Sequence, residues 1–591
     1  MDKETIININ KETYKNNYVV YHLHDEDSLL DSCTNYKLYI DKAKDLGQTA
    51  IAFTNHGNVY NWYKRKMYCD EKGIKFIYGI ECYLTETLDE NIRDNYHTIL
   101  LAKNNDGFIE LNNLVFKSTH KDHFYYKPRL SFEEFLSISD NVVKISACLA
   151  SPLCQYKNKI QQLNKEGIDT KDKMDMYISI AKHYDYYEIQ YHNVKEQIEY
   201  NQYLYKISKK YNKPLIMGTD THSLDDYKAK CRIILKYGKT DGDWGDGENN
   251  FDLTYKSYDE VINMFNVQNS LPKDVYMQAI ENTNVMANSI EPLKIDTSIK
   301  YPILYEGQDE EQIMWDRLRC KYKAKVDNGI IDGNNPKYAE NIKEEMRVFK
   351  KINMVGFMLF MSEMMSWCRE KGIFTSPCRG SVGGSTVAYI SDIIDVDPIK
   401  WNTIFSRFAN EYRTEVGDID VDIYDTERQL VYDYIFNRFG KEKTAYILAM
   451  GTLADKSVID TVGKAFRNIA KANDTTTQYT LENIKEIKKE YDKDAELTKS
   501  KYPDLFYYYD GLVGCVVSQS QHPAGVVAAP LNLIDNYSMF IGEDGQYILP
   551  IDMDEVHEIG LVKYDILGLK ILESSKRHVN LPIFLYHTLT Q

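Results

Sequence analysis

Residues 416–423 read VGDIDVDI, and Asp418, Asp420 and Asp422 alternate with Ile419 and Val421. Successive side chains of a strand point to opposite faces, so three carboxylates share one face and the aliphatics lie behind them. Carboxylates that close repel one another unless a cation stands between them. The pattern predicts a metal-holding strand over 415–424. Upstream, residues 376–386 read SPCRGSVGGST. There Gly380, Gly383 and Gly384 let backbone N–H groups approach phosphates, and Arg379, Ser381 and Ser385 add donors. Downstream, LVKYDILGL supplies Lys563 and Asp565 at i, i+2 on another predicted strand. Two carboxylates on one strand and a third on its neighbour suit two-metal nucleotidyl transfer. That chemistry is mostly positioning and charge neutralisation, which Mg²⁺, Arg and Lys can carry. Calcium loops and plain turns also produce DxDxD and GSxGGS; the conjunction with VKYD is what makes them specific.

Nearer the start, apolar runs recur: NYVVYHLH, TAIAFTN, FIYGIECYL, HTILLA, VVKISACL, YYEIQYH and PLIMGTDTH. Their Val, Ile, Tyr and Thr content is that of strands. Helical patterns such as NYKLYIDKAKDLG and NWYKRKMYCDEKG lie between several of them; the second places Trp62, Lys66 and Cys69 near one face and stops at Gly73. Alternation of this kind predicts an α/β domain with a largely parallel sheet, as in a barrel, ending near residue 230. Nine of the 13 histidines fall within residues 1–222. His22 and His24 are spaced i, i+2, as are Asp220 and His222, and Asp31, His56, Glu81, His97 and Cys148 sit at or near other strand ends. Any one of these alone reads as an ordinary structural residue. The ordered set exceeds what one tetrahedral ion needs and suits two or three zinc or manganese ions. Adjacent ions activate water and neutralise phosphate oxygens.

The chain has 591 residues, 43% hydrophobic and 27% charged, with 14 Pro and 30 Gly, which fits a multidomain globular protein and excludes collagen-like or disordered classes. No apolar run is long enough to span a membrane, and the N-terminus lacks a signal-peptide core. Ten cysteines without a CxxC pair predict free thiols in a reducing, cytoplasmic setting. A net charge of −16 argues against a generally basic nucleic-acid binder but not against a locally basic groove. Residues 240–250, TDGDWGDGENN, read as a surface loop. A Met-rich helical stretch before residue 370 reads as core filler.

RGSVGGSTVAY, DVDPIKWNTIFSRF, GDIDVDIYDTERQ, GTLADKSVIDTVGKAF, QHPAGVVAAP and GLVKYDILGL occur in the order seen in bacterial DNA polymerase III alpha subunits, the C-family replicative polymerases. HLHDEDSLLD, TNHGN, YGIECYL and TDTH resemble that family's polymerase-and-histidinol-phosphatase (PHP) domain. The resemblance runs from about Val19 to Leu572. It implies a multidomain α/β chain: a PHP-type (βα) barrel at 1–235, then a polymerase-beta-like palm with a helical lead-in at 236–446. A helical thumb at 447–518 would follow, then the second part of the palm at 519–570 and a divergent start of the fingers at 571–591. It also implies Asp418, Asp420 and Asp565 as catalytic acids with Mg²⁺, and Asp422 as a supporting acid. Arg379, Gly380, Ser381, Gly384, Ser385, Arg407, Lys456 and Lys563 would contact the incoming nucleotide. His22, His24, Asp31, His56, Glu81, His97, Cys148, Asp220 and His222 fill all nine PHP ligand positions, for Zn²⁺ or Mn²⁺ and a 3′–5′ exonuclease.

Three departures stand out. Gly417 replaces the family's proline, and Asn55 in TNHGN replaces its usual aspartate, removing a carboxylate beside His56. The family also continues for hundreds of residues past VKYDILGL. The expectation is a truncated or split polymerase acting on DNA primer-template and dNTPs. A second polypeptide would supply the remaining regions and, through them, a sliding clamp; no membrane is involved. The competing expectations are a free-standing metal exonuclease or phosphoesterase with an inert palm, and a non-catalytic scaffold.

Overall fold

The structure is a computed structural model and describes residues 17–89, 91–240, 251–412 and 419–569. The predicted loop over 240–250 (beyond Thr240), Gly417, Asp418 and the tail from 570 lie outside these residues. The chain forms two compact units: residues 1–294 with 450–520, and residues 295–449 with 521–591. No helix of the described residues is long and apolar enough to cross a membrane.

The first unit contains β1 (Ala50–Phe53), β2 (Lys75–Thr85), β3 (Tyr96–Ala102), β4 (Phe124–Tyr125), β5 (Lys127–Ser131), β6 (Val142–Ile145), β7 (Tyr187–Ile189) and β8 (Leu215–Met217). β1 and β5 run parallel to β2, and β7 runs parallel to β8. β3 is antiparallel to both β2 and β6. Single bridges close the ring: Ile145↔Tyr186 joins β6 to β7, while Thr221↔Leu23 and Val20↔Ile51 link β8 through segment 19–24 to β1. The result is a barrel with one reversed strand, where the sequence predicted a largely parallel sheet. The chain passes from β2 to β3 through residues 86–95 with no helix among the described ones. So short a connection can only return antiparallel. Segment 19–24, predicted as a strand, pairs only at Val20 and Leu23.

Both quoted helices form. Tyr36–Asp45 is capped by Asn35, whose side chain accepts from the Lys37 N–H, and Trp62–Lys72 ends at Gly73 with φ 68°. Of the three residues placed near one face, Trp62 and Cys69 are buried and Lys66 is half-buried; Arg65 is buried too. Val19, Tyr21, Ala52, Ile99, Ile145 and Ile216 meet in one apolar cluster, closed by Met286 and Ile290. The latter two belong to residues 236–294, which the sequence attached to the palm. A second cluster joins Ile234 and Leu235 to Val458, Val462, Ile487, Leu505 and Leu512. The helix Asp455–Ala472 thus shares a core with the helix Asp226–Lys239, and a Cβ on Gly238 would lie 2.3 Å from the Thr461 carbonyl oxygen. The expected thumb residues therefore fold within this unit.

The second unit holds a sheet of β9 (Val421–Ile423), β10 (Thr444–Thr452), β11 (Val516–Ala528), β12 (Phe540–Ile541), β13 (Tyr547–Asp552) and β14 (Val562–Gly568), ordered β12-β13-β10-β11-β14-β9. β10 and β11 carry the chain out of this unit and back. The strand predicted over 415–424 is only Val421–Ile423 among the described residues. In the helix Val355–Glu370, Met358, Met361, Met364 and Met365 are buried, as core filler should be.

Candidate metal centre and palm acids

Segment 19–24, the turns after it that carry Asp31, the loop after β1, β2, β3, the turn after β6 and the turn after β8 deliver all nine expected ligands to one place. His22 Nε2 lies 3.1 Å from Asp220 Oδ1 and 3.6 Å from Glu81 Oε1. His24 Nε2 lies 3.2 Å from Glu81 Oε2. His56 reaches Glu81 through Nδ1 at 2.8 Å and Asp31 through Nε2 at 3.0 Å. His97 Nδ1 is 2.7 Å from Glu81 Oε1, and Cys148 Sγ is 3.8 Å from that nitrogen. His222 Nε2 is 3.0 Å from Asp31 Oδ2. Three ligand triads result: His24–His56–His222, His22–His24–Asp220 and His56–Glu81–His97. Asp220 holds φ 49° and Ala147 φ 57°, an unfavourable backbone at two of the delivering turns.

The inner atoms fit divalent ions. His22 Nε2, His24 Nε2, His56 Nδ1 and both Glu81 oxygens are buried without a hydrogen bond, an arrangement costly unless cations occupy the space between them. The outer nitrogens fix the tautomers. His22 Nδ1 donates to Glu188 Oε1 at 2.7 Å, and His222 Nδ1 donates to the Asp220 carbonyl at 2.9 Å. Ser28 donates its hydroxyl to Asn55 Oδ1, so it accepts from His24 Nδ1 at 3.1 Å. In each of these three imidazoles Nε2 is therefore the nitrogen left for a metal ion.

Burial alone would keep His22 neutral, but Asp220, Glu188 and Glu81 outweigh it and raise its pKa well above the ordinary value. Burial works against ionised Asp31 too, yet His222 and Arg232 hold it well below the carboxylate range. Arg232 and Lys236 lie 2.8 Å and 2.6 Å from Asp31 Oδ1, leaving Oδ2 toward the histidines.

Glu188 was not visible as a site residue: it lies in YYEIQYH, but only the β7–β8 pairing brings it behind His22. Asn55 resolves the second departure. Its amide donates to Asp25 Oδ1 at 2.7 Å, and its oxygen accepts from the Asp25 N–H. A carboxylate there would face Asp25, which Arg65 already binds through Nε at 2.6 Å. The His56 backbone N–H donates to Ser28 Oγ at 3.1 Å, and its ring lies between Glu81 and Asp31.

In the second unit, Val421 pairs with Ile566 in the parallel β9–β14 ladder, which sets Asp420 beside Asp565. Asp565 Oδ1 is buried without a hydrogen bond, while Oδ2 lies 2.7 Å from Lys563 Nζ. Arg379 donates to Asp422 at 2.6 Å and lies 3.5 Å from Asp420. Gly380, at φ 76°, would place a Cβ 3.6 Å from Asp420 Oδ2, so the Gly–Ser loop borders the acids. Ser381 opens the short turn Ser381–Gly384 beside it.

Gly384 and Ser385 are also bound into the fold of this unit. A Cβ on Gly384 would lie 2.4 Å from the Ile404 carbonyl oxygen, and Ser385 donates to buried Glu345 at 2.7 Å. Arg407 is exposed, and Lys456 lies in the first unit, ion-paired with Asp492 at 2.8 Å. Asp418 lies outside the described residues.

The pattern described as "PHP domain" matches residues 21–192, and that described as "Bacterial DNA polymerase III alpha NTPase domain" matches residues 311–568. The DNA polymerase III subunit alpha of Aquifex aeolicus is 29% identical over 95% of this chain and 52% of its own length. That of Borreliella burgdorferi is 29% identical over 96% of this chain and 50% of its own. The chain thus spans about half the length of these curated relatives. A PHP-domain match followed in sequence by a DNA polymerase III alpha match, with such relatives aligned along nearly the whole chain, makes the chain similar to DNA polymerase III alpha subunits over its length.

Proposed function

We propose that the N-terminal barrel is a metal-dependent 3′–5′ exonuclease and that the second unit is the palm of a replicative DNA polymerase acting on primer-template and dNTPs. The observation that carries the nuclease reading is the set of buried, unbonded ligand atoms on His22, His24, His56 and Glu81. Two or three Zn²⁺ or Mn²⁺ ions in the barrel and Mg²⁺ in the palm would supply Lewis acidity toward phosphate oxygens and acidify water. The chain's own part is to hold those positions rigidly. Glu188, Ser28 and the Asp220 carbonyl lock three imidazoles, while Arg232 and Lys236 keep Asp31 ionised. In the palm, Asp420 and Asp565 offer carboxylates from adjacent strands, with Asp418 as the third acid. Arg379 and Lys563 stand ready to meet phosphate charge, with Gly380 and Ser381 beside them. The chain spans about half of its relatives' length, and we assign the fingers, the duplex grip and any sliding-clamp contact to polymerase regions outside the matched half.

The test separates the two sites. Asp220→Asn should abolish release of nucleotides from 3′ ends with Mn²⁺ and leave primer extension, reconstituted with the relatives' remaining half, intact. Asp420→Asn should do the reverse. Loss of both activities in either variant, or the opposite pattern, overturns the assignment.

A further inference from the structure

The sequence HFYYKPR, residues 123–129, played no part in the metal centre, yet it forms the β4–β5 hairpin on its border. Tyr125 pairs with Lys127, so the whole turn is one residue, Tyr126, at φ 58°. A bulky residue takes that backbone at a cost that glycine or asparagine would avoid. Its ring is 69% exposed, and Phe124 beside it is 52% exposed. Neither ring is there for the core.

Cations accompany these rings in a chain of net charge −16. The Arg93 guanidinium lies 4.9 Å from the Tyr126 ring centre, and Lys127 Nζ lies 5.4 Å from that of Tyr83. Asp122, the exposed acid next to them, is turned to His123 at 2.9 Å. The hairpin is also tied to the ligands. β5 pairs with β2 at Arg129↔Tyr83, two residues beyond Glu81. Tyr83 stacks on His56 at 6.0 Å and meets His97 edge-on at 5.1 Å. The three residues from Arg129 back to Tyr126 span about 10 Å along the strand.

We propose that this hairpin is a stacking platform for the single-stranded 3′ end of a nucleic acid. Phe124 and Tyr126 would take bases, and Arg93 and Lys127 the phosphates of the strand on its way to the metal centre. Exposed aromatics interleaved with cations bind single strands without regard to sequence, because every base has a π-face and every linkage a charge. The proposal rests on the nuclease reading and names its substrate as single-stranded rather than paired.

The test uses the full chain and a six-nucleotide fluorescent oligothymidylate, with binding measured by anisotropy in EDTA. Tyr126→Gly removes the ring while relaxing the backbone, so it should fold at least as well as the wild type. It and Phe124→Ser should each weaken binding about tenfold. Arg93→Gln should lower the salt dependence by about one phosphate contact. An abasic oligomer should bind wild type as weakly as oligothymidylate binds the Tyr126→Gly/Phe124→Ser double variant. Wild type that fails to bind, or variants within twofold of it, overturn the platform. Hydrolysis of bis(p-nitrophenyl) phosphate by the wild-type chain with Mn²⁺ judges the nuclease reading separately.

Discussion

Replacing Glu188 with glutamine changes one atom and should still cost the metal centre dearly. The carboxylate accepts from three donors: His22 Nδ1 at 2.7 Å, Tyr21 Oη at 2.9 Å and Gln190 Nε2 at 2.8 Å. Glutamine has one accepting oxygen, so at least one buried donor loses its partner, at about 1–3 kcal/mol. The donor that matters is His22, whose bond then goes at best to a neutral amide oxygen in place of a carboxylate and holds its tautomer and aim less firmly. Loss of such an outer partner typically lowers metal affinity about 10–100-fold. Gly218→Ala should act in the same direction, since its Cβ would lie 2.1 Å from Glu188 Cδ. Mn²⁺ titration of the chelator-stripped chain measures the effect. The pH dependence carries a sign. Glu188 helps raise the His22 pKa, so the wild type must release more protons on binding. Acid therefore weakens both proteins, but the wild type more, and the gap should narrow from pH 8 to pH 6. Unchanged affinity in Glu188→Gln, with His22→Ala losing it, would refute the orienting role.

Two further outcomes concern stability. Burial pushes the Glu345 carboxyl up to about 7, despite its bonds from Ser385, Val387 and Thr386. The folded state thus keeps a proton that the unfolded state releases near pH 4.5, so stability falls by about 3 kcal/mol as pH rises through this window. Denaturant unfolding of Glu345→Gln should lack that slope, and an identical pH profile would contradict it. Arg65→Met should destabilise the first unit by about 3–5 kcal/mol, because buried Asp25 and Asp27 lose the guanidinium 2.6 Å from each. A fall in Tm of under one degree would show that the pair is not structural.

The metal ligands were legible because coordination writes itself locally. HLH and DTH set two ligands on one side of an extended segment, and four of the remaining five, His56, Glu81, His97 and Cys148, lie in or beside runs that read as strands. Glu188 was not legible, since it acts across a strand pairing that no local pattern reveals, and Ser28 reaches His24 only through the turn that follows segment 19–24. Arg65 carries no mark of burial in its helix sequence, yet Asp25 and Asp27 bind it inside. The reversal of β3 was hidden because a buried strand of either direction is a plain apolar run. The Gly–Ser loop was half legible. Gly380 does border Asp420, but Gly384 and Ser385 answer to Ile404 and Glu345, which are distant in sequence. The placement of residues 450–520 with the barrel depends on the apolar face shared by Ile234 and Val462, again a long-range match.

The two acidic sites differ in how their charge is already met, and this sets the order in which they should take up ions. In the barrel the inward atoms of His22, His24, His56 and Glu81 have no hydrogen bond at all. A divalent ion there gives those atoms the bonds they lack, in place of their ion-pair contacts with one another. In the palm, Lys563 lies 2.7 Å from Asp565 and Arg379 lies 2.6 Å from Asp422. An ion entering between Asp420 and Asp565 must share these carboxylates with cations that are already close, and like charges oppose it. Nucleotide phosphates relieve that opposition by drawing the side-chain cations to themselves, so palm ions should bind firmly only together with dNTP. Titrated with Mn²⁺ alone, the chain should therefore fill the barrel first, and Asp220→Asn should remove the tight phase while Asp420→Asn spares it. Adding dNTP should create a second tight phase that Asp565→Asn abolishes. A tight phase lost in Asp420→Asn without nucleotide would show that Arg379 and Lys563 do not guard the palm acids.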